Sequence, residues 1–236
     1  MSKLATTLFV FSLGFLSLAN AYHGLVMVSR GEVERISKTS SEKVKVGTRI
    51  FQGDTITTGP NSYAKIVMTD RNIINVTADT KMIIELYENS EKAEIKNVEL
   101  KLENGKVRCD VKENYDGKKN KFLIKTPTII AGVRGTDFVV NYDSTAFNAE
   151  VITLKGTVAV NVIKEGKPAD PEVLVKAGQN TIIGADLTPS TPSKVPEKTL
   201  KQIKKETSGT EATAKTEKKE EVKKPNTEST DTNSVQ

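Results

Sequence analysis

The residues of this chain that could take part in chemistry are few and scattered. His23 is the only histidine and Cys109 the only cysteine. A Ser-His-Asp triad and a His-rich zinc site therefore find no set of members here. Asp54, Asp70, Asp79 and Asp137 are the acids to weigh for a carboxylate pair that cleaves glycosides, or for a calcium site. All four fall at turns or inside strand-like runs, and no spacing singles out two of them. Gly132-Val133-Arg134-Gly135-Thr136 has the glycines of a phosphate loop but neither the lysine nor the following helix. The reading is of a protein that is not an enzyme, with no catalytic residue, no cofactor and no metal site.

One charged side chain stands out by position. Arg134 lies in Lys125 to Val140, KTPTIIAGVRGTDFVV. Thr126-Pro127 interrupts regular structure, since proline fixes its own φ and pushes the preceding residue to an extended conformation. In an unbroken strand Arg134 would share the apolar face of Thr136, Phe138 and Val140. Two outcomes follow: a buried ion pair, or a glycine bulge at Gly135 that turns the guanidinium outward. Asp54 is the favoured partner, with Asp137 or Asp79 as alternatives. If the pair is buried, Arg134→Ala costs about 3 kcal/mol or more.

The elements that must position these residues read as strands. Leu25 to Ser29 and Glu32 to Ile36 form a pair, Thr39 to Glu42 a polar turn, and Val44-Lys45-Val46 a short alternation. Thr55 to Thr58 is β-branched throughout, and Gly59-Pro60-Asn61-Ser62 is a strong turn signal. Ala64, Ile66 and Met68 alternate with Lys65, Val67 and Thr69, and Met82, Ile84 and Leu86 give another inward face. Glu88 to Glu94 reads as an exposed loop. Val98, Leu100 and Leu102 change parity to Val107, Cys109 and Val111 across Asn104-Gly105, which predicts a tight turn or corner. Cys109 reads as a small buried hydrophobe; were it exposed, it would permit a cross-linked dimer. Phe147, Ala149, Val151 and Thr153 share one face, with Ile152 and Leu154 on the other.

No stretch sustains a helical period, so the expected fold is all-β, a single irregular β-sandwich or a short β-solenoid-like domain. From Leu187 onward Lys, Glu, Thr, Ser and Pro replace apolar residues. That composition predicts a disordered tail over residues 187–236, in which Val195 to Glu206 is too poor in apolar residues for a stable helix. At the other end, Lys3, the apolar run Leu8 to Leu18, and Ala19 and Ala21 at −3 and −1 make the plan of a secretory signal peptide, residues 1–21, cleaved after Ala21. A retained membrane helix is the alternative, but the run is short for a bilayer span. The body is then residues 22–186, periplasmic or secreted, with no stable membrane span after cleavage.

Several of these segments together resemble the FecR domain family of bacterial envelopes. The resemblance rests on Thr126-Pro127, on Gly132, Arg134, Gly135, Thr136 and Phe138, and on Gly53-Asp54-Thr55-Ile56-Thr57-Thr58. Gly31-Glu32-Val33, Val46-Gly47 and Ser62-Tyr63-Ala64 extend it, as do two phrases of leucine followed by glycine-x-valine, at Leu102 to Val107 and Leu154 to Val158. It covers residues 24 to 183 and implies irregularly wound β-strands. Regulatory members carry a cytoplasmic anti-sigma segment and a membrane helix ahead of this domain. Only two residues precede Lys3 here, so the expectation is a stand-alone form without that segment.

The formal charge of +5 is small and mixed with many acids. With no tryptophan and no recognition-helix pattern, the chain carries no nucleic-acid signature. The expected partner is an unidentified envelope protein or a cell-wall polymer. The corresponding functions are a protein-interaction module with a signalling-related role, or alternatively a cell-wall or glycan-binding protein.

Overall fold

The structure is a computed structural model, and it describes residues 21–90, 95–112 and 115–209. The expected signal peptide, up to Asn20, and the chain beyond Gly209 lie outside the described residues. Seventeen strands and one helix follow in order: β1 (Gly24–Arg30), β2 (Val33–Ile36), β3 (Ser41–Lys43), β4 (Arg49–Ile50), β5 (Thr55–Thr58), β6 (Tyr63–Met68), β7 (Ile73–Val76), β8 (Lys81–Ser90), β9 (Ile95–Asp110), β10 (Lys121–Lys125), β11 (Ile129–Val133), β12 (Asp137–Asp143), β13 (Asn148–Lys155), β14 (Thr157–Lys164), β15 (Lys167–Lys176), β16 (Gln179–Ile183), β17 (Ser193–Lys194) and α1 (Glu197–Glu206). The fold is all-β, as the alternating apolar patterns imply.

All seventeen strands belong to one mixed, open sheet, and β9 is its hinge. The first part of β9 pairs with β8 and, in parallel, with β10; its last part pairs with β7 and β12. One half therefore runs β3-β2-β5-β8-β9-β10-β11-β14-β15, and the other β4-β1-β6-β7-β9-β12-β13-β16-β17. The inward side chains of both halves meet in a single apolar cluster.

The parity change across Asn104-Gly105 is the mechanism of this hinge. Val98, Leu100 and Leu102 face the core from one half, Val107 and Cys109 from the other. A strand that leaves one half and enters the other must exchange faces to keep apolar residues inside, and one residue of slip does so. Gly105 takes φ +91, with Thr80 packed so closely that a Cβ would stand 2.6 Å from its Cα.

Among the described residues every other crossing between the halves also turns on a residue with positive φ. These are Gly31, Gly47, Gly53, Asn61, Asp79, Gly117, Gly135, Gly156 and Gly178. The irregular spacing of these turns gives the winding its lack of a fixed repeat.

Three sequence expectations are corrected. The strand expected at Val44 to Val46 lies earlier, at Ser41–Lys43, and Val44 is a buried residue just beyond it. Glu88, Asn89 and Ser90 belong to β8 and pair with β9, so the exposed loop expected from Glu88 does not begin there. Most consequentially, the chain beyond Leu187 is structured up to Gly209. Ile183 bridges Pro189, β17 pairs with β16, and α1 lies against the sheet.

Candidate interaction surface

The residues singled out in the sequence form corners and turns, not one constellation. Thr126 is buried, and its Oγ1 accepts hydrogen bonds from the N–H groups of Thr128 (3.2 Å) and Ile129 (3.1 Å). With Pro127 exposed between them, this closes the β10–β11 hairpin. Gly132 lies in β11 beneath Leu123, whose Cδ2 would be 3.3 Å from a Cβ there. Gly135 carries φ +61 where β11 passes to β12; Thr136 Oγ1 donates to the Thr157 carbonyl at 3.3 Å. Phe138 is fully buried, edge-on to Phe122.

Arg134 corrects the buried-pair expectation. Its side chain is exposed, and its guanidinium rests over the backbone of Gly117. Gly135 supplies the turn, and β12 is slipped against β13 between Asp137 and Phe138. The outward alternative is the one the structure adopts. Near it, the N–H groups of Asn120 and Lys118 hold the Asp116 carboxyl below its ordinary value, and the Arg134 charge adds to this.

The four aspartates are engaged apart from one another. Asp54 is buried beside Gly53, where Oδ2 accepts from the Phe51 N–H (2.8 Å) and from Arg35 Nη1 (3.3 Å). Burial pushes the Asp54 pKa up, and the Phe51 N–H and Arg35 oppose that. Asp70 is buried in a polar knot: Oδ2 accepts from Asn72 Nδ2 (2.8 Å) and Tyr115 OH (3.1 Å). Asn72 Oδ1 in turn accepts from the Lys112 N–H at 2.8 Å. Asp79 turns the chain between β7 and β8 at φ +52, and its carbonyl accepts from Asn104 Nδ2. Asp137 makes a two-pronged pair with Arg108, Nε–Oδ1 and Nη2–Oδ2 both at 2.8 Å. Those bonds raise the Arg108 pKa further, so the guanidinium stays charged. Cys109 is fully buried, and burial pushes its thiol pKa far up. Among the described residues no group of three or more His, Cys, Asp or Glu could hold a metal ion.

The outward faces of the two halves differ. On β8, β9 and β10, charged side chains cross-link the strands: Lys81–Glu103 at 2.9 Å, Lys101–Glu103 at 3.1 Å, and Lys125 with Glu85 (3.6 Å) and Glu99. On β12 and β13 the outward side carries the aliphatic Val139, Ile152 and Leu154 beside Asp137, Asn141 and Glu150, and Val195, Leu200 and Ile203 pack over the aliphatic part. The far end of α1 is tied down by cations. Arg108 Nη1 reaches the Lys204 carbonyl (3.4 Å) and Thr207 Oγ1 (3.3 Å), Arg30 donates to the Gly209 carbonyl, and Lys106 lies 3.7 Å from Glu206. Positive charge at a helix C-terminus is favourable because the last carbonyls point there unpaired.

In class, the described body is an all-β module wound through both halves of a folded sheet, with a helical strap across one outer face. The chain belongs to the FecR family: the model described as "FecR protein" matches residues 54–182, more than half of the sequence. Strands β1 to β4, and the strap from β17 through α1, lie outside the matched span. Among solved structures the chain is similar to a proposed anti-sigma factor from Parabacteroides distasonis ATCC 8503, seen at 1.65 Å and again at 2.50 Å. In both, identity is 16%, the TM-score is 0.46, and 59% of each chain is covered. The chain thus spans about three-fifths of that protein's length. It is also similar to a cell surface anchoring domain, at 24% identity and TM-score 0.25, over 26% of this chain and 82% of that one. No curated protein matches the sequence.

Proposed function

We propose that the chain is an exported, non-enzymatic FecR-family module that works through contacts with another protein of the bacterial envelope, in a signalling-related role. Membership of a family whose regulatory members act by protein–protein contact supports the direction. The observation that carries it is where the motif residues go. Thr126, Gly135, Thr136 and Phe138 serve turns and core, and Asp54 and Asp137 each hold an arginine within the fold. What is left for recognition is the outer surface.

Export follows from the Lys3, Leu8 to Leu18 and Ala19-Asn20-Ala21 pattern. Cleavage after Ala21 leaves β1 intact, because the body's first backbone bonds are those of His23, to Ile50 and Thr69. Among the described residues no helix is long and apolar enough to cross a membrane. Two measurements test the proposal. Mass spectrometry of the chain recovered from the envelope fraction should find Tyr22 at its N-terminus. Cross-linking in living cells should join the body to one recurrent envelope protein. Recovery of wall polymer alone, with no protein partner, would overturn the reading in favour of glycan binding.

A further inference from the structure

We infer that the outer face of β12 and β13 is a docking groove for an amphipathic helix of a protein partner, and that α1 fills it as an internal stand-in. The inference rests on the protein-interaction reading above and names the surface it uses. The two outer faces of the folded sheet are chemically unlike. One is laced with Lys–Glu pairs, whereas the other presents Val139, Ile152 and Leu154. A sheet face with three outward aliphatic residues needs a cover. Here the cover comes from residues beyond the matched family span, which ends at Ile182.

The cover is attached in a way that permits release. A helix of ten residues is marginal without tertiary support. Its N-cap, Pro196, makes no side-chain capping bond, and a cleft of about 390 Å³ remains between the helix and the sheet, lined in part by Lys106, Val139, Glu150, Ile152, Thr199 and Ile203. Only three of its side chains or those just before it, Val195, Leu200 and Ile203, join the apolar contact.

The contacts also define what else fits. The groove takes aliphatic residues three apart, then an acid three further on, as in Leu200, Ile203 and Glu206, with the acid at Lys106. The helix C-terminus meets Arg108 and Arg30. A partner helix with that spacing and an acidic last turn satisfies the same surface, in the manner of helix-in-groove recognition.

The test uses the purified full chain and a fluorescent peptide of residues 195–209. Leu200→Asp with Ile203→Asp frees the groove by lifting the strap. The peptide is expected to bind this variant at least tenfold more tightly than wild type, with binding weakened by salt. Adding Ile152→Asp is expected to abolish it. No binding by a released variant that keeps its β-sheet circular dichroism would overturn the inference, as would equal binding to wild type and to the Ile152→Asp variant. Hydrogen exchange on wild type gives an independent reading, because α1 amides should exchange well ahead of those of β12. Equal protection of the two would count against a releasable strap. Cellular cross-links to a protein that map away from β12 and β13 would remove the groove while leaving the proposed function standing. Peptide binding without any cellular protein partner would do the reverse.

Discussion

Arg108 and Arg134 make opposite predictions, although sequence alone points to the wrong one of the two. Arg108 forms two parallel 2.8 Å bonds to Asp137, and the side chains are only 16% and 15% exposed. Arg108→Ala removes both charge-assisted bonds and strands a carboxylate with little access to water. Breaking a fully buried pair from one side costs about 3–5 kcal/mol. The residual exposure here lowers that to about 2–3 kcal/mol, since water partly replaces the guanidinium. The contacts of Arg108 to α1, at 3.3 and 3.4 Å, are longer and weaker than its pair with Asp137 and leave that range unchanged. In a body of this size that loss lowers Tm by about 5–10 °C. Arg134→Ala removes an exposed side chain resting on Gly117 and should lie within about 0.5 kcal/mol of wild type. Urea unfolding at constant m-value measures both. A double-mutant cycle of Arg108→Ala with Asp137→Asn should return a coupling of about 2 kcal/mol. An Arg134→Ala chain as unstable as Arg108→Ala, or an Arg108–Asp137 coupling near zero, would refute this assignment of the structural arginine.

Three further outcomes follow from the geometry. Gly105→Ala should cost about 3 kcal/mol or more in urea melts, because its Cβ would meet Thr80 and Asp79 backbone at 2.6 and 2.7 Å in a left-handed conformation. Gly166→Ala, at φ +75 with open space around it, should cost only the backbone term, about 1–2 kcal/mol. Glu103 is held below its ordinary pKa first by the Lys81 hydrogen bond and then by that of Lys101, so it contributes stability above about pH 4.5 that is lost as pH falls through the lowered folded value. Glu103→Gln should therefore flatten the acid limb of the stability–pH curve, and an unchanged limb would count against the Lys81–Glu103–Lys101 ladder. Asp54, raised chiefly by burial, runs the other way: its contribution declines as pH rises through the raised value.

The strands were legible wherever one face is apolar and the other polar, as in Ala64-Ile66-Met68 and Val98-Leu100-Leu102, because period-2 alternation is the direct imprint of a half-buried sheet. The corner at Asn104-Gly105 was legible for the same reason, as a slip in that period. At Arg134 the alternation offers two outcomes, and φ +61 at Gly135 decides for the outward one, which rules out the buried pair with Asp54. Arg108 was passed over although it lies in a clean alternation with Val107 and Cys109. Its partner Asp137 is 29 residues away, and nothing local announces the pairing. The strap was missed for a related reason. Leu200 and Ile203 are too few to stabilise a helix alone, but each gains its burial from Val139 and Ile152, residues of distant strands.

That last point bears on what the family signature means. A pattern of glycines, threonines and one arginine looks like a site, yet in this fold it marks turns: Thr126 closes the β10–β11 hairpin, and Gly53 and Gly135 stand where the chain changes from one half of the sheet to the other. Those positions are constrained by backbone geometry, so related chains can share them while their partners differ. The outward residues of β12 and β13 are under no such constraint. Ile152 is aliphatic where the outer face of the other half, on β8, β9 and β10, carries charge, and the core gains nothing from that choice because Val151 and Thr153 already fill the inner side. The physical reason for an aliphatic residue there is something laid across it. In this chain that something is α1, tied at one end by Arg108 and Arg30.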